Sequence, residues 1–357
     1  MTATVITGWT AISAYGYGAA AFADGLAGGP ARLTEAPPGT DLPPGGAFLV
    51  PDFDLRGRLG RKGTKAMDRG TGLALTAVAD LIERTGGDIA QRADTGLVLG
   101  TSFGSTESMM EFTRQSLTGE RPWFVDPALM PYGVMNATAG QCAIWHGLRG
   151  PNATLAGGRG TALLGLRYAR RLLRNNRAAR VLTGAVEDYS RARAWLWEQR
   201  PEAARDEAAR GGAARGEAAL GEAAVMLLVE PAGGPRPALA EVLTVESRHA
   251  LDGSPAVALA DCVRSALKFT GVEPDQVALV STSGAGELET VGDLLGGRAR
   301  VLPVLADLVG ETAAVSAALQ VAAVLVEAPG HRGQIALVTS VDTDGPVACA
   351  LLRLADV

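Results

Sequence analysis

The strand-like segments of this chain are apolar along their whole length rather than at alternate positions, and helix-length segments separate them. Val5–Thr7, Gly96–Leu99, Val181–Thr183, Ala224–Val229, Val277–Ser281, Ile335–Thr339 and Ala348–Leu354 read as such strands. A strand apolar on both faces must be covered on both faces, which calls for a parallel or mixed sheet between helix layers. The helices are at hand. Lys65–Arg84 brings Leu73, Leu75, Val78, Leu81 and Ile82 to one stripe, and Ala162–Arg174 does the same with Leu163, Leu166, Ala169, Leu172 and Leu173. Ala256–Phe269 and Glu311–Glu327 repeat the pattern. The alternation specifies an α/β architecture.

At 357 residues the chain is long enough for two fused halves. Pro231–Pro237 (PAGGPRP) follows a strand and precedes a new α/β series, which predicts halves at 1–230 and 231–357. Pro37–Gly46 reads as a loop. Pro201–Gly221 reads as a mobile surface segment, because Gly211, Gly212 and Gly216 interrupt its Ala/Arg/Glu-rich run.

A net charge of −5 offers no basic field for nucleic acid. Cys142, Cys262 and Cys349 are too scattered for a zinc or disulfide framework, which predicts a reducing, cytoplasmic setting. The N-terminus lacks the basic and apolar regions of a signal peptide, and no run of eighteen apolar residues predicts a membrane span. His146, His249 and His331 are too dispersed to suggest a metal site.

Two stretches raise chemistry. In Gly150-Pro151-Asn152-Ala153-Thr154-Leu155-Ala156-Gly157-Gly158-Arg159-Gly160-Thr161, a short strand runs through a glycine turn into a helix, and an arginine stands where a nucleophile would sit. Gly100-Thr101-Ser102-Phe103-Gly104 fits the nucleophile-elbow pattern, and all three histidines follow it in the hydrolase order. A serine-dependent esterase or acyltransferase, using Ser102 or Ser283, is therefore one functional alternative. Gly284-x-Gly286 is too short a fragment to be a dinucleotide fingerprint.

An ordered set of segments resembles the β-ketoacyl synthase family, of thiolase fold. These are Val5-Ile6-Thr7-Gly8, Met67-Asp68-Arg69, Asn136–Gln141, Gly147–Asn152 and Gly221-Glu222-Ala223-Ala224. The resemblance spans almost the whole chain. It implies two similar α/β halves with mixed sheets sandwiched between helices. The departures fall on the chemistry. Aligned on Gly150-Pro151-Asn152, the family's cysteine becomes Arg159. Its two histidines become Ser283, in Ser283-Gly284-Ala285-Gly286-Glu287, and Glu311, in Gly310-Glu311. Val341-Asp342-Thr343-Asp344-Gly345 replaces its glycine-rich gating turn.

Decarboxylative condensation needs a nucleophile to carry the acyl chain and donors for the charge that develops as carbon dioxide leaves. This chain lacks all three groups. Simultaneous loss is similar to the chain length factor subgroup of type II polyketide synthases. The subgroup usually carries glutamine at the Arg159 position; that departure, and a short C-terminal half, suggest a highly reducing or polyene branch.

Membership in the subgroup implies a catalytically silent subunit that forms a heterodimer with an active ketosynthase and shapes its acyl tunnel. It implies no metal and no redox cofactor, since the acyl chain arrives on the phosphopantetheine of an acyl carrier protein that docks mainly on the partner. The tunnel-lining and interface positions carried over are Thr106, Met109, Met110 and Thr113 on the helix Thr106–Leu117, with Leu129 and Met130 beyond it. On the residues alone, that helix is also read as an ordinary buried face. Arg159 is expected to pair with Glu311, or otherwise to face a partner or solvent. A structural homodimer of the same fold is the remaining alternative. Arg167, Arg170, Arg171, Arg174 and Arg177 read as a solvated helix face, with contact to an acidic carrier protein as the other reading.

Overall fold

The structure is a computed structural model that describes residues 2–36, 40–65, 67–90, 92–200, 219–251 and 254–356. Residues 201–218 of the stretch Pro201–Gly221 and residues 37–39 of the stretch Pro37–Gly46 lie outside the described residues. The strands of the N-terminal part are β1 (Thr4–Ser13), β2 (Gly16–Tyr17), β3 (Thr34–Glu35), β4 (Gly46–Phe48), β5 (Thr95–Gly100), β6 (Asn152–Leu155), β7 (Arg180–Glu187), β8 (Leu220–Gly221) and β9 (Ala223–Pro231). Those that follow are β10 (Ala240–His249), β11 (Val277–Ser281), β12 (Arg300–Val301), β13 (Ile335–Val341) and β14 (Pro346–Leu354).

Ten strands form two series with the same order and directions. In the first, β6, β5 and β7 are parallel neighbours, and β9 and then β1 continue antiparallel. In the second, β12, β11 and β13 are parallel, and β14 and then β10 continue antiparallel. Among the described residues, the two series pair strand to strand where Val5 and Ile6 of β1 meet Glu241 and Ala240 of β10. A small three-stranded sheet, β3-β4-β8, lies to one side.

The continuous apolar strands are explained by helices on both faces. Along β9, Val225, Leu227 and Val229 face a central helix layer, while Ala224, Met226 and Leu228 face an outer one. Along β14, Ala348, Ala350 and Leu352 face the same central layer, and Val347, Cys349 and Leu351 the opposite outer one. The central layer is built from the helices Thr161–Arg174 and Ser316–Glu327. Helix Arg69–Arg84 covers the first sheet; helices Pro255–Thr270 and Leu288–Leu295 cover the second. The apolar stretch Ala313–Gly330 has the length and hydropathy of a membrane span, yet Ser316–Leu325 is buried throughout as the core helix between the sheets.

Three expectations are corrected. The first long helix starts at Arg69 rather than Lys65, because the Asp68 carboxylate accepts the Thr71 N–H at 2.8 Å and caps it there. The helix expected from Glu311 starts at Ser316, after a 3-10 turn at Ala313–Val315; Glu311 forms a bridge with Leu220 instead. The stripe on helix Thr106–Thr118 is not a buried face, since Met109 and Met110 are exposed.

Candidate functional site

Strand β6 ends at Leu155, and the chain turns through Gly157 and Gly158 into a 3-10 turn, Gly158–Gly160, that feeds helix Thr161–Arg174. Gly158 has φ +61°, and a Cβ there would collide with the Asp342 carboxylate, so only glycine allows this approach. Thr161 Oγ1 accepts the Gly157 N–H at 2.9 Å and fixes the turn. The Arg159 N–H donates to Asp342 Oδ2 at 2.6 Å. Asp342 comes from the turn between β13 and β14, so the two series of strands meet at this point.

The Arg159 side chain turns inward. Its Nη2 donates to Glu311 Oε2, and the two side chains are only 12% and 6% exposed. The Ala313 N–H donates to Glu311 Oε1 at 2.7 Å. Burial alone would push the Glu311 carboxyl up, but the charge and hydrogen bond of Arg159 and the Ala313 N–H hold it below its ordinary value. Glu311 in turn raises the Arg159 guanidinium above its ordinary value despite burial. Arg193, almost fully buried, donates to the main-chain carbonyls of Glu311 (2.9 Å), Gly221 (2.9 Å) and Asp188 (2.5 Å), pinning the backbone beneath the pair.

Ser283 follows β11. Its Oγ donates to Glu287 Oε1 and accepts the Val341 N–H at 3.0 Å. Glu287 also accepts from the Thr339 hydroxyl, and burial pushes its carboxyl up. A cavity of about 270 Å³ opens beside these groups, lined in part by Arg159, Glu287, Asp342, Gly284 and Leu259. The structure therefore brings Arg159, Ser283 and Glu311 into one neighbourhood. A guanidinium that stays charged is neither nucleophile nor proton shuttle. A carboxylate at Glu311 opposes an anionic intermediate, and Ser283 is bonded to the Glu287 carboxyl rather than to a histidine.

Ser102 is placed elsewhere. Its Oγ is buried without a partner, and its N–H donates to Glu187. Burial pushes the carboxyls of Glu187 and neighbouring Asp188 up to about 7. His146 bonds the Leu75 carbonyl at 3.2 Å and His331 bonds Gln334 at 2.8 Å, so neither stands beside Ser102 or Ser283.

The interface candidates lie on the surface. Met109, Met110 and Met130 are 46%, 44% and 69% exposed, Thr113 is exposed and bonded to the Met109 carbonyl, and Leu129 is half-buried; only Thr106 is buried. Within one chain they enclose nothing in common with the cavity beside Arg159.

The family profile described as "Beta-ketoacyl synthase, N-terminal domain" matches residues 2–232. The chain belongs to the β-ketoacyl synthase family. It is similar over 99% of its length, at 41% identity and a TM-score of 0.88, to 99% of a chain in a structure titled "The ishigamide ketosynthase/chain length factor". A structure of a type II PKS acyl-carrier protein in complex with its ketosynthase bound to the hexaketide has a chain with the same fold. That chain has 16% identity and a TM-score of 0.81, with 99% of this chain and 100% of that one covered. The 3-oxoacyl-[acyl-carrier-protein] synthase 2 of Vibrio harveyi is 27% identical over 146 residues, which are 40% of this chain and 35% of that protein. The match thus spans about a third of that relative's length. These similarities to ketosynthases bear out the expected thiolase fold.

Two of the segments quoted for the resemblance, Met67-Asp68-Arg69 and Gly221-Glu222-Ala223-Ala224, also meet in space. Arg69 bonds Glu222 through Nε at 2.7 Å and Nη2 at 2.5 Å, and Glu222 also accepts the Val50 and Tyr189 N–H groups. Sequence reasoning did not single out Asp342, Glu287 or Arg193 as site residues. Asp342 and Glu287 had a faint signal, as acids in loops that depart from the family pattern. Arg193, in Arg191-Ala192-Arg193-Ala194, looks like any surface arginine.

Proposed function

We propose that this chain is the chain length factor of a type II polyketide synthase. It would be a catalytically silent subunit that pairs with an active ketosynthase and forms part of the wall along which the acyl chain grows. The observation that carries this reading is the Arg159–Glu311 ion pair: it occupies the nucleophile and second-histidine positions and leaves no nucleophile at either. The 41% identity to a chain from a ketosynthase/chain length factor structure supports it.

The surface supports a partner. Ten of the seventeen exposed large apolar side chains among the described residues fall between positions 109 and 145, among them Met109, Met110, Trp123, Met130 and Ile144. Helix Thr106–Thr118 packs on the 3-10 turn Pro127–Gly133, which packs on helix Ala137–His146, which reaches β6. Among the described residues, strand β6 ends its sheet and is paired on one side only. An apolar patch beside an unpaired edge is the property of an interface. In this reading Thr106, Met109, Met110, Thr113, Leu129 and Met130 close a tunnel only when the ketosynthase is seated against them. The acyl chain sits on the partner's cysteine, delivered by a carrier protein, and the chain uses no metal or redox cofactor. It works in the cytoplasm, and its halves are 1–230 and 231–357.

The test is native mass of the chain alone and co-expressed with the ketosynthase of its own pathway. A one-to-one heterodimer whose condensing activity needs the ketosynthase cysteine is expected. A stable homodimer that ignores the ketosynthase overturns the reading.

A further inference from the structure

Cys142, Cys262 and Cys349 lie far apart in sequence, yet the fold brings the last two together. Cys262 stands on helix Pro255–Thr270 and Cys349 on β14, 87 positions later, and their sulfurs are 3.5 Å apart. Both side chains are fully buried between that helix and the second series of strands. The cover over them is a single helix, for Asp261 and Arg264, close to Cys262 in sequence, are exposed. Cys142 is buried in the first half, on helix Ala137–His146.

The two neighbouring thiols are unlike. The hydrogen bond from Cys349, with a smaller effect from the charge of Arg248, holds the Cys262 thiol below its ordinary value against burial and Glu246. Arg248 reaches the same helix and bonds the Ser265 hydroxyl at 2.6 Å. Giving that bond, and then burial, raise the Cys349 thiol well above its own ordinary value. Cys142 has no such help, and burial pushes its thiol up to about 12.

We infer that Cys262 and Cys349 are a redox-sensitive pair, which a hydroperoxide converts reversibly to a disulfide joining helix Pro255–Thr270 to β14. The pair is built into one chain, whatever partner that chain takes. A sulfur–sulfur bond of about 2.05 Å needs the two atoms to close by about 1.5 Å, within the range over which packed helices shift. With hydrogen peroxide, the Cys262 thiolate attacks one oxygen and the O–O bond breaks. The other oxygen leaves with the electron pair and takes the Cys262 proton as water, and Cys262 becomes a sulfenic acid. The Cys349 sulfur then attacks the Cys262 sulfur, and the departing hydroxide takes the Cys349 proton as a second water. Two thiols lose two electrons, and one peroxide gains them. Pro255, Ala256 and Leu259 of the same helix line the cavity beside Arg159, and Leu259 precedes Cys262 by one turn. The disulfide therefore fixes one wall of that cavity to the sheet. In a reducing compartment the pair rests as thiols and closes only under oxidant.

The experiment exposes the full chain, folded and reduced, to graded hydrogen peroxide. Remaining thiols are blocked with N-ethylmaleimide under denaturing conditions, and the peptides are mapped by mass spectrometry. A peptide pair joined through Cys262 and Cys349, lighter by two hydrogens than the separate peptides and reopened by dithiothreitol, is expected. These two thiols should be lost faster than Cys142 by about tenfold or more. The urea midpoint of the oxidised chain should rise, because the link constrains the unfolded state. Cys349→Ala should abolish both the link and the rise, and leave Cys262 as a sulfenic acid that dimedone captures. Loss of Cys262 and Cys349 no faster than Cys142, sulfinic acids without a link, or a link that forms only after urea has unfolded the chain each overturn the pair. A linked chain with an unchanged midpoint overturns the fixing of the helix to the sheet.

Discussion

The ion pair at Arg159 and the methionine face at Met109 differ in completeness. Around Arg159 each charged group has its counterpart inside the chain: the guanidinium meets Glu311, the main-chain N–H meets Asp342, and the Glu311 carboxylate also accepts the Ala313 N–H. Around Met109 large apolar side chains stand exposed on elements that lead, through the turn Pro127–Gly133 and the helix Ala137–His146, to the edge strand β6. A ketosynthase would be open and reactive at the first place. In this chain the charges pair with one another at the first place and large apolar side chains are exposed at the second, so the chain length factor reading expects its contribution from the surface rather than from the pocket.

The contrast can be broken most forcefully from the inside. Arg159→Ala strands the Glu311 carboxylate in a buried site and should destabilise the fold by about 3–5 kcal/mol, read by urea denaturation. Arg159→Met/Glu311→Leu removes both charges with similar volume and should recover most of that loss. If the single variant is harmless, the pair is wetter than its burial implies. Asp342→Ala acts one step further out. It leaves the Arg159 N–H without its acceptor and should cost about 1–3 kcal/mol in the same measurement.

The interior also carries a pH dependence. Glu187 and Asp188 sit near 7 when folded, well above an unfolded carboxyl, so the folded state holds more protons between about pH 4.5 and 7. Their contribution is present below that window and is lost as pH rises through it, by up to about 1.4 kcal/mol per pH unit for each proton. Glu311 has the opposite sign: its folded value is depressed, so its contribution is present at neutral pH and is lost in acid. Glu187→Gln should flatten the decline between pH 5 and 7 in denaturation midpoints. An unchanged slope would mean that Glu187 is ionised when folded.

The strands were legible because burial on both faces leaves no polar position to blur them: β5, β7, β9, β11, β13 and β14 each contain an apolar run read from the sequence. Strand β10 escaped notice because Glu241, Thr244, Glu246, Ser247 and Arg248 break its pattern, and β12 because two residues carry no periodicity. In the site, the replacements at Arg159, Ser283 and Glu311 were visible as departures from a family pattern. Asp342, Glu287 and Arg193 were not, because what makes them matter is contact across long sequence separations: Arg159 to Asp342 spans 183 positions and Arg193 to Glu311 spans 118. No local spacing encodes such a meeting. The exposed methionines were the reverse case. Their helical spacing suggests a core stripe, and only the fold shows that the described residues leave Met109 and Met110 exposed.

The smallest effect on stability belongs to that face, and it is the most informative about function. Met109→Trp and Thr113→Trp add bulk where the side chain already stands in solvent, so unfolding free energy should change by no more than about 0.5 kcal/mol. In the heterodimer the same bulk would project into the proposed tunnel, and the products should be shorter by mass spectrometry while the native mass stays that of the one-to-one complex. Shorter products from a chain whose own stability is untouched would separate wall from core directly. Full-length products from an intact heterodimer would remove Met109 and Thr113 from the wall and leave the apolar face as a plain subunit contact.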